Sequence, residues 1–179
     1  MTPIWPPKPA ASAIYLAEFL LQRGLLTGAG QKCRAVCGRA GITTHKREGD
    51  EATPAGVLNL VRVLYRADRL GKPPRCAVPV EPIGPHDGWC DDPADPAYNR
   101  PVRLPYAGRH EALWREDGIY DIAGVLDWNA APVIPGRGSA IFLHVARPDF
   151  APTAGCIALA LPDLLACLEA GLSAVRILE

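Results

Sequence analysis

Short apolar runs broken by turn residues dominate the chain, and few stretches keep the spacing of a helix. Residues 57–65 are rich in β-branched side chains, which favours a strand with Val57, Val61, Val63 and Tyr65 on one face, although the spacing also admits a helix. Strand-like runs return at 118–126, at 139–145 and at 157–161, and residues 31–42 read as a strand and a turn. The polar stretch 46–56, punctuated by Gly and Pro, reads as a loop. Two segments carry helical signals. Residues 11–26 place Leu16, Phe19, Leu20 and Arg23 at helical spacing, with Gly24 near the end. Further on, Pro162 suits a first helical turn, Leu164, Leu165 and Leu168 form an apolar stripe, and Gly171 supplies a stop. The pattern predicts a mostly β domain with peripheral helices.

Composition narrows the class. With 179 residues the chain suits one domain with a core of its own. Pro 19 and Gly 17 make up a fifth of it, below the ~25–30% that marks low complexity. The prolines are dense in residues 71–106, which predicts an extended insertion or small subdomain that covers something, because long ordered loops are usually functional. Lys+Arg 19 balance Asp+Glu 19, which argues against the basic stripe of a nucleic-acid binder and against a polybasic membrane-surface protein. No run approaches the ~18–20 apolar residues of a membrane span. Residues 1–10 hold four prolines and one Lys, unlike the basic start and apolar core of a signal peptide. The six cysteines include no CxxC pair, and the histidines show no metal-ligand spacing, so neither a metal nor another cofactor is expected. Cys33 and Cys37 would lie ~13 Å apart on a strand but share a face on a helix, which leaves their pairing open.

The chemistry concentrates at one place. A strand ends in Phe142-Leu143-His144-Val145, a loop of eleven residues follows, and Gly155-Cys156 opens the next strand. In a strand His144 shares its face with Phe142 and Ala140. A hairpin-like return would bring the Cys156 thiol toward the imidazole, the pairing that thiol catalysis uses. Gly155 lets backbone approach a substrate closely, and the N–H groups of Ala154 and Gly155 would supply an oxyanion hole. A cysteine on an apolar strand is also a common small core residue, so the structural role stands beside the catalytic one.

The same stretch resembles the L,D-transpeptidases of the YkuD type, whose signature is an upstream His followed by Ser/Thr-His-Gly-Cys. His144 falls on the upstream His, and Thr153, Gly155 and Cys156 fall on the segment. Thr53-Pro54-Ala55-Gly56 resembles a Thr-Pro-x-Gly element of these domains, and Gly138 to His144 resembles the strand that leads to the His. The likeness spans residues 31–177. It implies a β-sandwich-like catalytic domain over 31–179; residues 1–30, which have no counterpart in it, are left as an N-terminal extension with a helix, and the proline-rich insertion 71–106 is a candidate lid. Departures are Ala154 in place of His, Ala158 in place of Arg or Asn, Val145 where Gly is common, and a shorter His–Cys spacing.

What the resemblance implies is acyl transfer between peptidoglycan stem peptides in the periplasm; a monomer is the default expectation. Cys156 would form a thioester with His144 as its proton partner, the donor carbonyl being either the diaminopimelate L-centre or, as in some divergent relatives, L-Ala. Hydrolysis by the same thiol and a non-catalytic wall-binding module are the competing readings. Carboxylate-bearing stems need cationic and hydrogen-bonding contacts. Arg147 and Thr153 near the pair, and Trp89, Tyr98, Asn99 and Arg100 in the insertion, are the candidates. Asp127, Trp128 and Asn129 suit a turn. A Cys76–Cys90 disulfide would suit an oxidising compartment, and Cys167 reads as core.

Overall fold

The computed structural model describes residues 14–179. In chain order the elements are β1 (Ala17–Gln22), β2 (Leu25–Gly28), β3 (Gln31–Val36), β4 (Ile42–Thr43), β5 (Thr53–Pro54), β6 (Gly56–Tyr65) and α1 (Ala67–Leu70). They continue with β7 (Val80–Pro82), β8 (Asp87–Cys90), β9 (Pro101–Arg103), β10 (His110–Ala112), β11 (Ile122–Leu126) and β12 (Phe142–Val145). β13 (Ile157–Leu159), α2 (Leu161–Glu169) and β14 (Leu172–Ile177) complete the chain. The mostly β class expected from the pattern is what the structure has.

The main sheet runs β11-β12-β13-β3-β2-β1-β14-β6, and β6 pairs again with β11, so the sheet closes on itself. Closure leaves no free edge in this ring, and β7 adds to β6 outside it. Alternation along the strands fills the interior. Phe19 and Leu21 of β1, Cys33 and Ala35 of β3, Leu58 and Leu60 of β6, and Leu143, Ile157 and Leu159 meet there. α2 begins with a proline in its first turn and lays Leu164, Cys167 and Leu168 into the same core. The Sγ atoms of Cys33 and Cys167 lie 3.7 Å apart, so Cys167 is the core residue its stripe suggested.

A second apolar layer forms on the outer face of β11 and β12. Leu64, Ile83, Trp89, Leu113, Tyr120 and Phe142 pack together there, under a small sheet of order β10-β8-β9. Both faces of β11 are therefore covered, and all of Ile122–Leu126 is buried. Such a strand reads as an unbroken apolar run.

The N-terminal helix is corrected. Residues 11–13 of that expected helix lie outside the described residues, and the rest forms β1 and β2, both members of the closed sheet. Phe19 and Leu21 face inward at a spacing of two, while Arg23 and Gly24 take positive φ (51° and 73°) at the turn between Gln22 and Leu25. Two positive-φ residues make the turn whose twist suits a tight hairpin. The helical reading of these letters fails because their apolar positions fit either period, and the turn decides.

In β6, Leu58 and Leu60 face inward, while Val57 and Val61 are exposed. An irregularity against β11 between Val125 and Leu126 shifts the alternation, so that Val63 returns to the core. The Cys76–Cys90 disulfide does not form: all six cysteines are free thiols, and the Cys76 thiol donates to the Val78 carbonyl at 3.2 Å. Cys33 and Cys37, at β3 and just after it, are likewise unpaired with each other.

Leu143 is fully buried between the two layers. Leu143→Ala is expected to lower the unfolding free energy by about 2–5 kcal/mol, read from urea denaturation.

Candidate active site

Cys156 and His144 come together through strand register. β12 and β13 are parallel, with Leu143 opposite Ile157 and His144 opposite Ala158. The expected hairpin-like return is corrected accordingly: the eleven-residue connection carries the chain back to start β13 in the same direction. Parallel neighbours need such a crossover. In-register residues of adjacent strands share a face. Phe142, His144, Cys156 and Ala158 therefore lie on one side, away from Leu143 and Ile157 in the core. The register sets the Cα atoms of His144 and Cys156 roughly 8 Å apart, from 4.8 Å between strands and 3.3 Å of rise per residue.

The crossover is held in place by backbone and hydroxyl contacts. The Thr153 N–H donates to the Cys37 carbonyl and the Arg39 N–H to the Thr153 carbonyl, both at 2.9 Å. The Thr153 hydroxyl donates to the Cys156 carbonyl at 2.6 Å and accepts from the Gly155 N–H at 3.1 Å. The buried Thr53 hydroxyl accepts from the Gly38 N–H and also approaches the Cys156 carbonyl, at 3.4 Å. Gly155 takes φ 135°, and a Cβ there would stand 2.8 Å from the Ala52 carbonyl oxygen. This position therefore requires glycine. Of the two N–H groups expected in an oxyanion hole, that of Gly155 is already engaged in this turn.

The thiol has defined partners. Cys156 Sγ donates to the Ala140 carbonyl at 3.2 Å and receives the Phe142 N–H at 3.4 Å. His144 Nδ1 lies 2.9 Å from the Val145 carbonyl. A carbonyl only accepts, so Nδ1 carries the proton and Nε2 is left as the base. The ring stands edge-on to Tyr120 at 5.5 Å. Burial pushes the Cys156 thiol up to about 12, and Glu111 adds to the rise. Burial also lowers His144 to about 4. The resting pair is thus a neutral thiol and a neutral imidazole, and the thiol's hydrogen bond goes to Ala140.

A cavity of about 380 Å³ opens on both groups. Arg39, Arg115 and Arg147 line it together with Glu48, Asp91 and Glu111. Arg115 is held by Asp117 and Arg39 by Glu51, whereas Arg147 makes no ion pair among the described residues. Tyr120 donates to Glu111 Oε1 at 2.6 Å, and burial raises the Glu111 carboxyl. The Tyr98 and Ser139 hydroxyls both donate to Glu48 Oε2.

The sequence-derived candidates fall in three places. Cys156, His144, Ala154, Thr153 and Arg147 line the cavity. Trp89, Tyr98 and Asn99 are buried and lie behind it, with Trp89 edge-on to Phe142 at 5.2 Å. Arg100 is exposed and donates to the Ala130 carbonyl. From residues 71–106 the cavity wall receives Asp91. Glu48, Glu111, Tyr120 and Ser139 escaped sequence reasoning. They sit on loops and a three-residue strand, where no periodicity marks which side chain turns inward.

Two measurements check this electrostatic state. Alkylation of Cys156 by iodoacetamide, followed on its own peptide by mass spectrometry, should be slow at pH 7 and rise about tenfold per pH unit up to pH 10. A preformed thiolate–imidazolium pair would give a flat profile instead. Stability should also carry the signature of a buried neutral histidine. The unfolded chain takes up its proton near 6.5 and the folded chain only near 4, so stability is full above 6.5 and falls as pH drops between them. The loss amounts to about 3 kcal/mol, and urea midpoints of His144→Gln across this range should lack it.

Comparison with known proteins adds a family. The YkuD L,D-transpeptidase catalytic domain matches residues 16–172. The match starts within the segment expected to be an extension, in agreement with the place of β1 and β2 in the closed sheet. Neither the curated proteins nor the solved structures gave a match. With its closed sheet, its cavity and a match over most of its length, the chain belongs to the L,D-transpeptidase catalytic domains of the YkuD family.

Proposed function

We propose that the protein is a cysteine acyltransferase that cross-links peptidoglycan stem peptides through a thioester on Cys156. One observation carries this reading: two adjacent parallel strands aim Cys156 and His144 into the same cavity. Substrate binding displaces the thiol proton from the Ala140 carbonyl to His144 Nε2 as sulfur attacks a carbonyl at an L-centre. The C–S bond forms, the amide C–N bond breaks, and the imidazolium returns its proton to the leaving amine. A second stem's amine then attacks the thioester, its N–C bond replaces the C–S bond, and Cys156 recovers its proton. The Ala154 N–H, which makes no hydrogen bond among the described residues, is the donor we assign to the oxyanion.

The cavity wall suits such peptides. Arg147, without an ion pair among the described residues, offers a cation to a stem carboxylate, and Glu48 and Glu111 offer acceptors to an amine. Small side chains at Ala154 and Ala158 leave room where relatives place polar ones, which keeps L-Ala beside the diaminopimelate L-centre as donor. Hydrolysis uses the same acyl-enzyme with water as acceptor. A wall-binding module without catalysis has no use for the paired thiol and imidazole. The substrate places the protein outside the cytoplasm, in the periplasm, and no described helix is long and apolar enough to cross a membrane. We assign residues 71–106 to the outer layer that supports the site, and take the acting unit as a monomer.

Intact-mass spectrometry with purified muropeptides tests the reading, with a carbapenem as a second acylating probe. Wild type should gain an acyl adduct and release a cross-linked dimer, whereas Cys156→Ala should do neither. A wild-type protein that forms no adduct with either reagent would sink the enzyme reading, and hydrolysis products without dimer would favour water as acceptor. His144→Ala should lower turnover by about 10²–10⁴-fold while leaving Cys156 open to alkylation.

A further inference from the structure

Asn99 is buried, 5% exposed, in the proline-rich insertion, and every hydrogen-bonding site of its amide is used. Its Nδ2 donates to the carbonyls of Trp128 and Asn129, at 3.0 and 2.9 Å. Its Oδ1 accepts from Trp89 Nε1 and from the Ala140 N–H, each at 3.0 Å. An amide offers two donors and two acceptor positions, so the group is saturated. The fourth contact has the chemical consequence. Ala140 is held at φ 51°, a left-handed conformation that a side chain rarely adopts, and its carbonyl is the one that accepts the Cys156 thiol. Asn99 itself sits at φ 55°, a region in which asparagine is enriched. The strained peptide beside the nucleophile is thus clamped from a different part of the chain, 41 residues earlier.

We propose that Asn99 is a positioning residue of the active site, which holds Ala140 so that its carbonyl fixes the resting Cys156 thiol. It touches neither substrate nor the reacting atoms and acts through Ala140. This role rests on Cys156 being the nucleophile, and it turns the insertion from a covering element into a buttress. The Trp89 indole shares the Asn99 oxygen, while the turn at Trp128 and Asn129 anchors the amide from the other side. The titratable groups around the thiol, namely His144, Tyr120, Glu111 and Lys46, make no hydrogen bond with Asn99.

Asn99→Gly tests the clamp, because glycine accepts the positive φ and deletes all four contacts. A carbonyl that accepts the S–H bond favours the neutral thiol, so its release should speed iodoacetamide alkylation of the Cys156 peptide at pH 9 by roughly fivefold. Turnover on muropeptides should fall about tenfold in kcat with little change in KM. Cys33 and Cys167, buried in the main core, should stay protected, which separates a loosened site from an unfolded protein. A folded Asn99→Gly protein with the wild-type alkylation rate and kcat would overturn the proposal. If the glycine variant does not fold, Asn99→Ser, too short to reach all four partners, is read in the same way. The alkylation arm needs no substrate, so an inactive wild type would count against the proposed reaction and leave this inference to be judged by its own result.

Discussion

Because β12 and β13 run parallel and in register, the residues two apart on one strand and at the start of the next are forced onto a common face. That pairing sets His144 and Cys156 side by side without any direct bond between them. Everything else around the site serves the register. The interior side chains Leu143, Ile157 and Leu159 seat the two strands from below, while Phe142, Trp89 and Tyr120 seat them from above. The crossover that parallel pairing demands is tied down at Thr153 and at Gly155, and the segment after β3 supplies the anchors. A slip of one residue would turn Phe142 and His144 into the core and present Leu143 to the cavity.

The electrostatics follow from the same layering. The packing behind the site withdraws much of the solvent from the half-buried thiol and the buried imidazole, and each then keeps its neutral form. In the reaction we propose, proton transfer between them therefore belongs to the encounter with substrate rather than to the resting protein. The wall beyond them is charged but close to balanced, as is the whole chain. Discrimination among ligands comes from which charge sits where, and Arg147 and Glu48 stand at the cavity without ionic partners among the described residues.

Much of this was legible in the letters. Residues 157–161 and the stripe Leu164, Leu165, Leu168 carry strong local patterns, and residues 57–65 are rich in β-branched side chains; all formed the expected classes of element, although the face expected of 57–65 is split, with Val57 and Val61 exposed and Val63 in the core. Cys156 and His144 stood out as candidates because their neighbours, Gly155 and the apolar strand before the histidine, are unusual together, and the structure sets both at one cavity. The segment 11–26 misled because apolar residues at 16, 19 and 20 fit a helix until the Arg23-Gly24 turn forces a hairpin. Parallel pairing was hidden, since an eleven-residue connection without a helix reads as a hairpin loop. The roles of Trp89, Tyr98 and Asn99 were hidden too. Polar and aromatic residues among prolines look like a surface loop, and only the outer face of β11 and β12 shows what they cover.

Holding Cys156, the nucleophile we propose, as a neutral thiol has a consequence for its survival. Oxidants attack thiolates, and the first product, a sulfenic acid, can proceed to forms that no thiol reductant reverses. A cysteine that rests protonated presents little thiolate to peroxide. In the compartment proposed for this protein, where reducing power is scarce, such reticence would keep the Cys156 thiol intact.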